Sequence, residues 1–456
     1  MGGRWLVVLL CKYFLSSYLI GGEVLADQEP EISRIAFGSC ANESAAQPIW
    51  NSIIHFDPQV YIWLGDNIYG DTRIPFKIFG EKRTIGPWKN TPRFIPSSRE
   101  EMEAKYAKAK EISGYSMLRK SAKVVGTWDD HDYGLNNAGK EFPHKVTNQK
   151  LLLDFLDEPQ DSLRRSQEGV YASYVFGPIG RKIQVIILDT RYHRDPLHSD
   201  GTILGDAQWI WLEKELKERQ YEVTIIASSI QVISNLSATT GPFFLMESWG
   251  HFPKERDRLF KLLIDSKRDG VFFISGDVHF GEISRHDCAS GYPLYDITSS
   301  GLTQSIESAF PLPLPLTRII RLISWLTPNT MRVINKTCRY SSCIYGQPNF
   351  GTIEINWNAS PVSLKFEIRD VNGLPVHGVS SSLSELRWEN DTVLAREIPQ
   401  TPRRHCTAEA NLPWMVRHRL AMVLCAAFAV LVVGVMSLAC ALVSLFRLGD
   451  AKRKVE

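Results

Sequence analysis

This chain is poor in net charge, in repeats and in basic tracts. Its 52 lysines and arginines against 50 aspartates and glutamates leave a formal charge of +2, with the two signs interspersed. No basic stripe and no known nucleic-acid module is visible, which argues against a polynucleotide partner. No internal repeat is visible either, so a repeat architecture is set aside. Charge is missing altogether from Leu420 to Phe446, a stretch long enough to span a bilayer. Arg417 and Arg419 precede it, and Arg447, Lys452, Arg453 and Lys454 follow it.

The opposite end is apolar too. Arg4 to Leu25 has a basic start, an apolar stretch and a small-residue exit at Val24-Leu25-Ala26. Residues 1–26 are therefore expected to be a signal peptide cleaved after Ala26, an uncleaved anchor being the alternative. A leader plus one late span gives a single-pass type I membrane protein, with the bulk of the chain luminal or extracellular and residues 447–456 as a cytoplasmic tail. That basic tail argues against a glycolipid anchor, whose signal ends in apolar residues. Its lysines resemble a dilysine retrieval signal of the endoplasmic reticulum and equally a plain stop-transfer cluster, so both the endoplasmic reticulum and the cell surface stay open. Sequons at Asn42, Asn235, Asn335, Asn358 and Asn390 lie on the luminal side and suggest N-glycans.

Cysteine is scarce, eight in 456 residues. Cys11 falls in the leader, and Cys425 and Cys440 fall in the span. Cys40, Cys288, Cys338, Cys343 and Cys406 remain, an odd number for an oxidising compartment.

Chemistry-bearing residues gather at the ends of apolar runs. Val60 to Leu64 reads as a buried strand that stops at Gly65 and is followed by Asp66, Asn67, Tyr69 and Asp71. Open α/β sheets place their ligands at such strand ends. The same arrangement recurs at Ile35 to Cys40, at Val124 to Asp132 and at Val271 to His279. Carboxylate, imidazole, phenolate and thiolate donors ending four strands together suit a metal centre. An isolated Asp-Asn pair would merely shape a turn.

Gly38-Ser39-Cys40, Gly65-Asp66-Asn67-Ile68-Tyr69, Trp128-Asp129-Asp130-His131-Asp132, Leu188-Asp189-Thr190-Arg191 and Gly276-Asp277-Val278-His279 resemble the motifs of the PhoD-like alkaline phosphatases, within the calcineurin-like metallophosphoesterases. The resemblance runs from about Arg34 to about Asp370. It implies an α/β, four-layer metallophosphoesterase fold, a two-sheet β-sandwich flanked by helices, over residues 33–370, to which one C-terminal transmembrane helix is added. It also implies a dinuclear centre of Fe3+ with Ca2+. The expected metal ligands are Cys40, Asp66, Tyr69, Asp130, Asp277 and His279, with Asp66 bridging. His131 is expected to hold the phosphate and protonate the leaving oxygen. Arg191 is placed to clamp the phosphate or to pair with Asp189, and Asn67 to contact substrate or shape its turn.

If Cys40 binds metal, the other four cysteines are free to pair. The expected bonds are Cys338–Cys343 and Cys288–Cys406, although sequence does not decide connectivity. Two departures from the family pattern stand out. There is no room for the small β domain that precedes the catalytic one in longer bacterial relatives. Ser228-Ser229-Ile230-Gln231 also stands where the superfamily often has a metal-binding histidine.

Outside the core pattern, Phe310 to Met331 is apolar-periodic with Arg318 and Arg321 among the apolar residues. It reads as a helix packed on the core or as an interfacial amphipathic one. Residues 371–418 read as a luminal stalk. Together these features imply a membrane-anchored, metal-dependent hydrolase of phosphate esters. The alternatives are a lipid phosphodiesterase acting at the membrane surface and a non-catalytic binding ectodomain.

Overall fold

A computed structural model describes residues 29–73, 94–197, 199–218, 221–240, 246–308, 314–388 and 404–453. The expected leader and Asn390 lie outside the described residues. In chain order the strands are β1 (Arg34–Gly38), β2 (Val60–Leu64), β3 (Asp71–Arg73), β4 (Phe94–Pro96), β5 (Lys123–Thr127), β6 (Ala172–Phe176), β7 (Ile183–Ile187), β8 (Val223–Ala227), β9 (Val271–Ser275), β10 (Gly281–His286), β11 (Leu294–Ser299), β12 (Asn349–Asn356), β13 (Ser363–Asp370) and β14 (Pro375–Ser382). The helices are α1 (Ile49–Phe56), α2 (Arg99–Glu111), α3 (Ser113–Ser121), α4 (Asp130–Tyr133), α5 (Lys145–Phe155), α6 (Gly205–Lys217), α7 (Ser237–Thr240), α8 (Pro253–Ser266), α9 (Leu314–Leu326), α10 (Trp414–Arg417) and α11 (Arg419–Arg453).

The architecture is mixed α/β with two six-stranded sheets, ordered β14-β13-β12-β1-β2-β5 and β10-β11-β9-β8-β7-β6. In the first sheet β1, β2 and β5 run parallel and β12 to β14 antiparallel. In the second, β7, β8, β9 and β11 run parallel between antiparallel edges. Strand β2 shows why these runs carry no polar alternation. Val60, Ile62 and Leu64 join the apolar cluster that also holds β7, β8 and β9, while Tyr61 and Trp63 join a second cluster with residues of α1, α2, α3 and α5. Both faces are covered, as parallel strands require. Phe272 of β9 against Phe366 of β13, 4.7 Å between ring centroids, ties one sheet to the other.

Local chemistry sets the helix starts. Ser98 and Glu101 exchange hydrogen bonds (Ser98 N to Glu101 Oε2, 2.7 Å; Glu101 N to Ser98 Oγ, 3.2 Å) as a capping box ahead of α2. Pro253 opens α8, where its missing N–H costs no helical bond.

Residues 371–418 do not form a stalk from end to end. Pro375–Ser382 pairs with β13 as the outer strand of the first sheet. Its serines and its leading proline suit an edge strand and disguise it in the sequence. Further on, Cys406 is bonded to Cys288, and Glu409 is buried. The second disulfide joins Cys338 and Cys343, and Cys40 is a free, buried thiol, so the connectivity agrees with expectation. Among the described residues one helix, α11, is long and apolar enough over Arg419–Leu445 to cross a membrane.

The sequons differ in access. Asn358 is exposed and Asn42 and Asn335 are half-buried, but Asn235 is 5% exposed and a Cβ on Gly250 would lie 2.2 Å from its Nδ2. A glycan has no room at Asn235, which corrects the expectation there.

Candidate metal centre

The loops that leave β1, β2, β5 and β9 meet where the two sheets adjoin, and each carries expected ligands at its first positions. The chain turns sharply to make this possible. Cys40, Asp66, Asp277 and His279 all have left-handed backbones, with φ of 62°, 50°, 69° and 61°. A non-glycine residue held there costs on the order of 1–3 kcal/mol and survives only where the surroundings impose it. The glycines before the aspartates permit close approach. A Cβ on Gly65 would stand 2.4 Å from the Asp129 Cβ, and one on Gly276 would stand 2.6 Å from Ser39 Oγ.

The donor atoms converge. Cys40 Sγ lies 3.4 Å from Asp66 Oδ2, and Tyr69 Oη lies 3.4 Å from His279 Nε2. At this site three groups have ligand atoms within 4.8 Å of one another: Cys40, Asp66 and His279; Asp66, Asp130 and His131; and Asp129, Asp130 and Asp277. Donors that bind one ion at about 2.0–2.6 Å lie no more than about 4–5 Å apart, so each group matches the span of a coordination shell. The groups overlap through Asp66 and Asp130. Sulfur, imidazole and the nearby Tyr69 phenol lie on one side, and carboxylates on the other. Asp130 Oδ1 and Asp129 Oδ2 are buried with no hydrogen-bond partner among the described residues. These orphaned oxygens are what a cation would satisfy, and the residues present fit a dinuclear centre.

Electrostatics point the same way. Burial pushes the Cys40 thiol well above its usual range, and Asp66 beside it adds to the rise. Burial also raises Asp66 well above the carboxylate range, with Asp130, Asp129 and Asp132 adding and His131 opposing. Burial, then Cys40 and Asp66, raise Tyr69. Burial, then Asp129 and Asp130, raise Asp277. Each would shed its proton readily only to a positive charge. His279 is lowered to about 4 by burial and by His131, leaving a neutral imidazole suited to ligation. For Asp130 burial is outweighed by His131 and Arg191, which hold it at about 2.

Other side chains hold the loops in place. Asp132, raised to about 8 by burial, accepts from the backbone of Asp129 (2.6 Å), Asn67 (3.1 Å) and Asp66 (3.3 Å). Ser300 Oγ accepts from His279 N at 2.8 Å and lies 3.1 Å from Cys40 Sγ, coupling two ligand loops. His131 donates its backbone N–H to Asp66 Oδ1 (3.2 Å), and its Nδ1 is 2.6 Å from Asp71 Oδ1. Asp130, Asp66 and Asp71 raise His131 well above the ordinary histidine range against the pull of burial.

The two expected substrate contacts, Arg191 and Asn67, both have partners within the protein. Arg191 is fully buried; its Nε donates to Asp129 Oδ1 at 2.6 Å and its Nη1 to Glu247. Asp189 meanwhile accepts the Arg191 backbone N–H at 2.8 Å. The guanidinium is held between two acids, Asp129 and Glu247. Asn67 gives its amide N–H groups to Thr127 O (3.0 Å) and Asp132 Oδ2 (2.6 Å), which ties it into the loop, and its buried Oδ1 has no hydrogen-bond partner among the described residues. Ser229 donates to Asp129 Oδ1 at 2.7 Å. The sequence reading passed over Asp71 and Asp129, which sit in the same motifs as the expected ligands, and Ser300 and Glu247, which no local pattern marks.

The sequence profile of PhoD-like phosphatases matches residues 35–306. Alkaline phosphatase D of Bacillus subtilis is 24% identical over 182 residues, 34% of this chain and 30% of that protein, so the match spans less than a third of the relative. The solved structure of PhoD superposes with a TM-score of 0.54 at 17% identity, over 83% of this chain and 74% of that one, a likeness of fold. GAP50, the anchor in the inner membrane complex of Plasmodium, aligns at 12% identity and a TM-score of 0.45, over 80% of this chain and 91% of that one.

Proposed function

The chain belongs to the PhoD-like phosphatase family, and on that premise we propose that it is a metal-dependent hydrolase of phosphate mono- or diesters, anchored in a membrane of the secretory pathway. The observation that carries this reading is the convergence of Cys40, Asp66, Asp277 and His279, four ligands of three chemical types on loops with left-handed backbone.

Cys40, Tyr69, Asp66 and His279 would hold the ion that favours sulfur and phenolate, for which Fe3+ is our assignment. Asp66, Asp130 and Asp277 would hold the harder Ca2+, with Asp129 beside them. Paired cations in such a centre acidify a water and neutralise phosphoryl oxygens. The remaining work falls to the protein. His131, oriented through Nδ1 by Asp71, presents its other ring nitrogen as the acid for the leaving oxygen. Asp132 and Ser300 hold the ligand loops, and Arg191 with Arg194 offsets Asp129 and Glu247. The four-layer metallophosphoesterase architecture is part of the same reading.

For topology we assign α11 as the span, residues 1–26 as a leader, a luminal or extracellular catalytic domain and a glycan at exposed Asn358. Two disulfides support an oxidising compartment, and endoglycosidase shifts with protease protection test the topology. The experiment for function is hydrolysis of p-nitrophenyl phosphate and its bis ester by the full chain in detergent, with metal analysis of the same sample and Asp66→Asn beside it. Activity with bound metal, both lost in the variant, is the expected result. A metal-free, inactive wild type would refute the proposal.

A further inference from the structure

Helix α9 bears apolar side chains that the described residues leave uncovered. Ile319, Leu322 and Trp325 are 50%, 52% and 55% exposed, and their spacing puts them on one face. Arg318 is exposed alongside them. One flank of the helix is fastened down. Arg321 grips Glu307 with two bonds (Nε to Oε1, 3.0 Å; Nη2 to Oε2, 2.9 Å), and its guanidinium lies 4.0 Å over the Tyr340 ring. So α9 is a fixed element with one unpartnered face.

Its C-terminal end indicates what covers that face. Arg419, the first residue of α11, donates to Leu326 O through Nε (2.9 Å) and Nη2 (2.7 Å). The last carbonyl of α9 therefore touches the residue at which the apolar span begins. Short helix α10, immediately before, exposes Trp414, Met415 and Val416 at 63%, 70% and 42%. Tryptophans belong at membrane–water boundaries, and an exposed arginine beside apolar residues reaches lipid phosphates by extending its stem. The apolar belt of α9 and α10 is thus continuous with the head of the span.

We propose that α9 and α10 form a second, non-spanning membrane contact that seats the catalytic domain on the bilayer surface. Ile319, Leu322 and Trp325 enter the headgroup–acyl boundary and Arg318 meets lipid phosphates. Because Glu307 follows Ile306, whose N–H donates to His279 O at 2.9 Å, the same contact fixes how the metal centre faces the bilayer. This inference rests on the reading of α11 as a membrane span.

The test puts the full chain in phosphatidylcholine–phosphatidylserine vesicles with a photoreactive residue at one position, Leu322→p-benzoylphenylalanine. The same probe at Ile179, an exposed apolar residue of the β6–β7 turn, gives the background. Irradiation is expected to yield a phospholipid adduct at position 322 well above that background. Adding Ile319→Asp and Trp325→Asp should abolish the adduct with an unchanged thermal melt. A protein adduct, no adduct, or equal adducts at both positions would overturn the proposal. Carbonate extraction of the same vesicles separates the two readings. A chain released by carbonate overturns the span and the proposal with it, whereas a retained chain without lipid adduct overturns the surface contact alone.

Discussion

Replacing Asp71 by asparagine isolates what orients the proposed acid. His131 Nδ1 lies 2.6 Å from Asp71 Oδ1, and the Asp71 side chain is 1% exposed, so no water replaces the carboxylate. Asp71 is one of the carboxyl groups that raise the imidazole against the pull of burial. Asn136 N also donates to it, at 2.8 Å, and the isosteric amide oxygen preserves that bond. General acids contribute about 10²–10⁴-fold, and removing the partner that orients a catalytic or ligating histidine typically costs about 10–100-fold. Asp71→Asn should therefore lower kcat about 10–100-fold, or about 1.4–2.8 kcal/mol of barrier, on an alkyl phosphate. The loss should be much smaller on p-nitrophenyl phosphate, whose leaving group departs without a proton. The assay compares kcat for the two substrates at equal metal content. Equal losses on both, or a fall in bound metal, would refute the assignment of Asp71 as the residue positioning an acid.

Gly65→Ala sets a Cβ 2.4 Å from that of Asp129 at a φ of 97°; it should destabilise by more than the roughly 1–2 kcal/mol of left-handed strain alone and reduce bound metal, read by thermal melting and metal analysis. Glu409 is buried, and its carboxyl is raised to about 7. Its folded value lies above its unfolded one, so the native state binds the extra proton and stability falls as pH rises from about 4.5 through about 7. Glu409→Gln should remove that decline and stabilise the chain above pH 7 by up to roughly 3 kcal/mol; unchanged pH–melting curves would sink the idea. Removing metal with a chelator should lower Tm, and reloading it should release protons, because Cys40, Asp66 and Asp277 are held protonated without a cation. Calorimetry in buffers of different ionisation enthalpy reads the protons, and none released would contradict the ligand set.

What was legible in the sequence was local. A run such as Val60 to Leu64 followed by Gly-Asp carries its strand, its sharp turn and its carboxylate within a few residues, and the fold brings the ends of four such runs together. Arg191 could not be placed in this way. Its partner Glu247 is far along the chain, and only the packing of distant loops decides whether a guanidinium meets an acid wall or open solvent. Asn67 was ambiguous for a related reason, since its amide is claimed by Asp132 across two motifs. Strand β14 was hidden by its composition. An edge strand buries one face and pairs on one side, so serines and a leading proline do not disqualify it. The sequon at Asn235 shows the opposite failure, a pattern that was clear in sequence and closed by burial.

The charge balance of the centre argues that it is made for cations. Asp129 and Glu247 have Arg191 between them, and Arg194 Nη2 stands 3.4 Å from Glu247. Asp66 and Asp130 have His131 beside them, and Arg191 reaches Asp130 and Asp277, which leaves the acids in excess of the positive groups. An unpaired buried ion costs several kcal/mol, and a folded domain has only about 5–15 kcal/mol in total, so these groups cannot all be ionised without a counter-charge. Protonation would relieve the repulsion. It would not explain why four of the ligands also sit in left-handed backbone, a further cost on the order of 1–3 kcal/mol each. Apolar residues on relaxed turns would fill the same space at lower energy. The strained loops and the crowded acids have one common purpose, which is to aim thiolate, carboxylate and imidazole donors at the same point, and only bound cations offset both costs together.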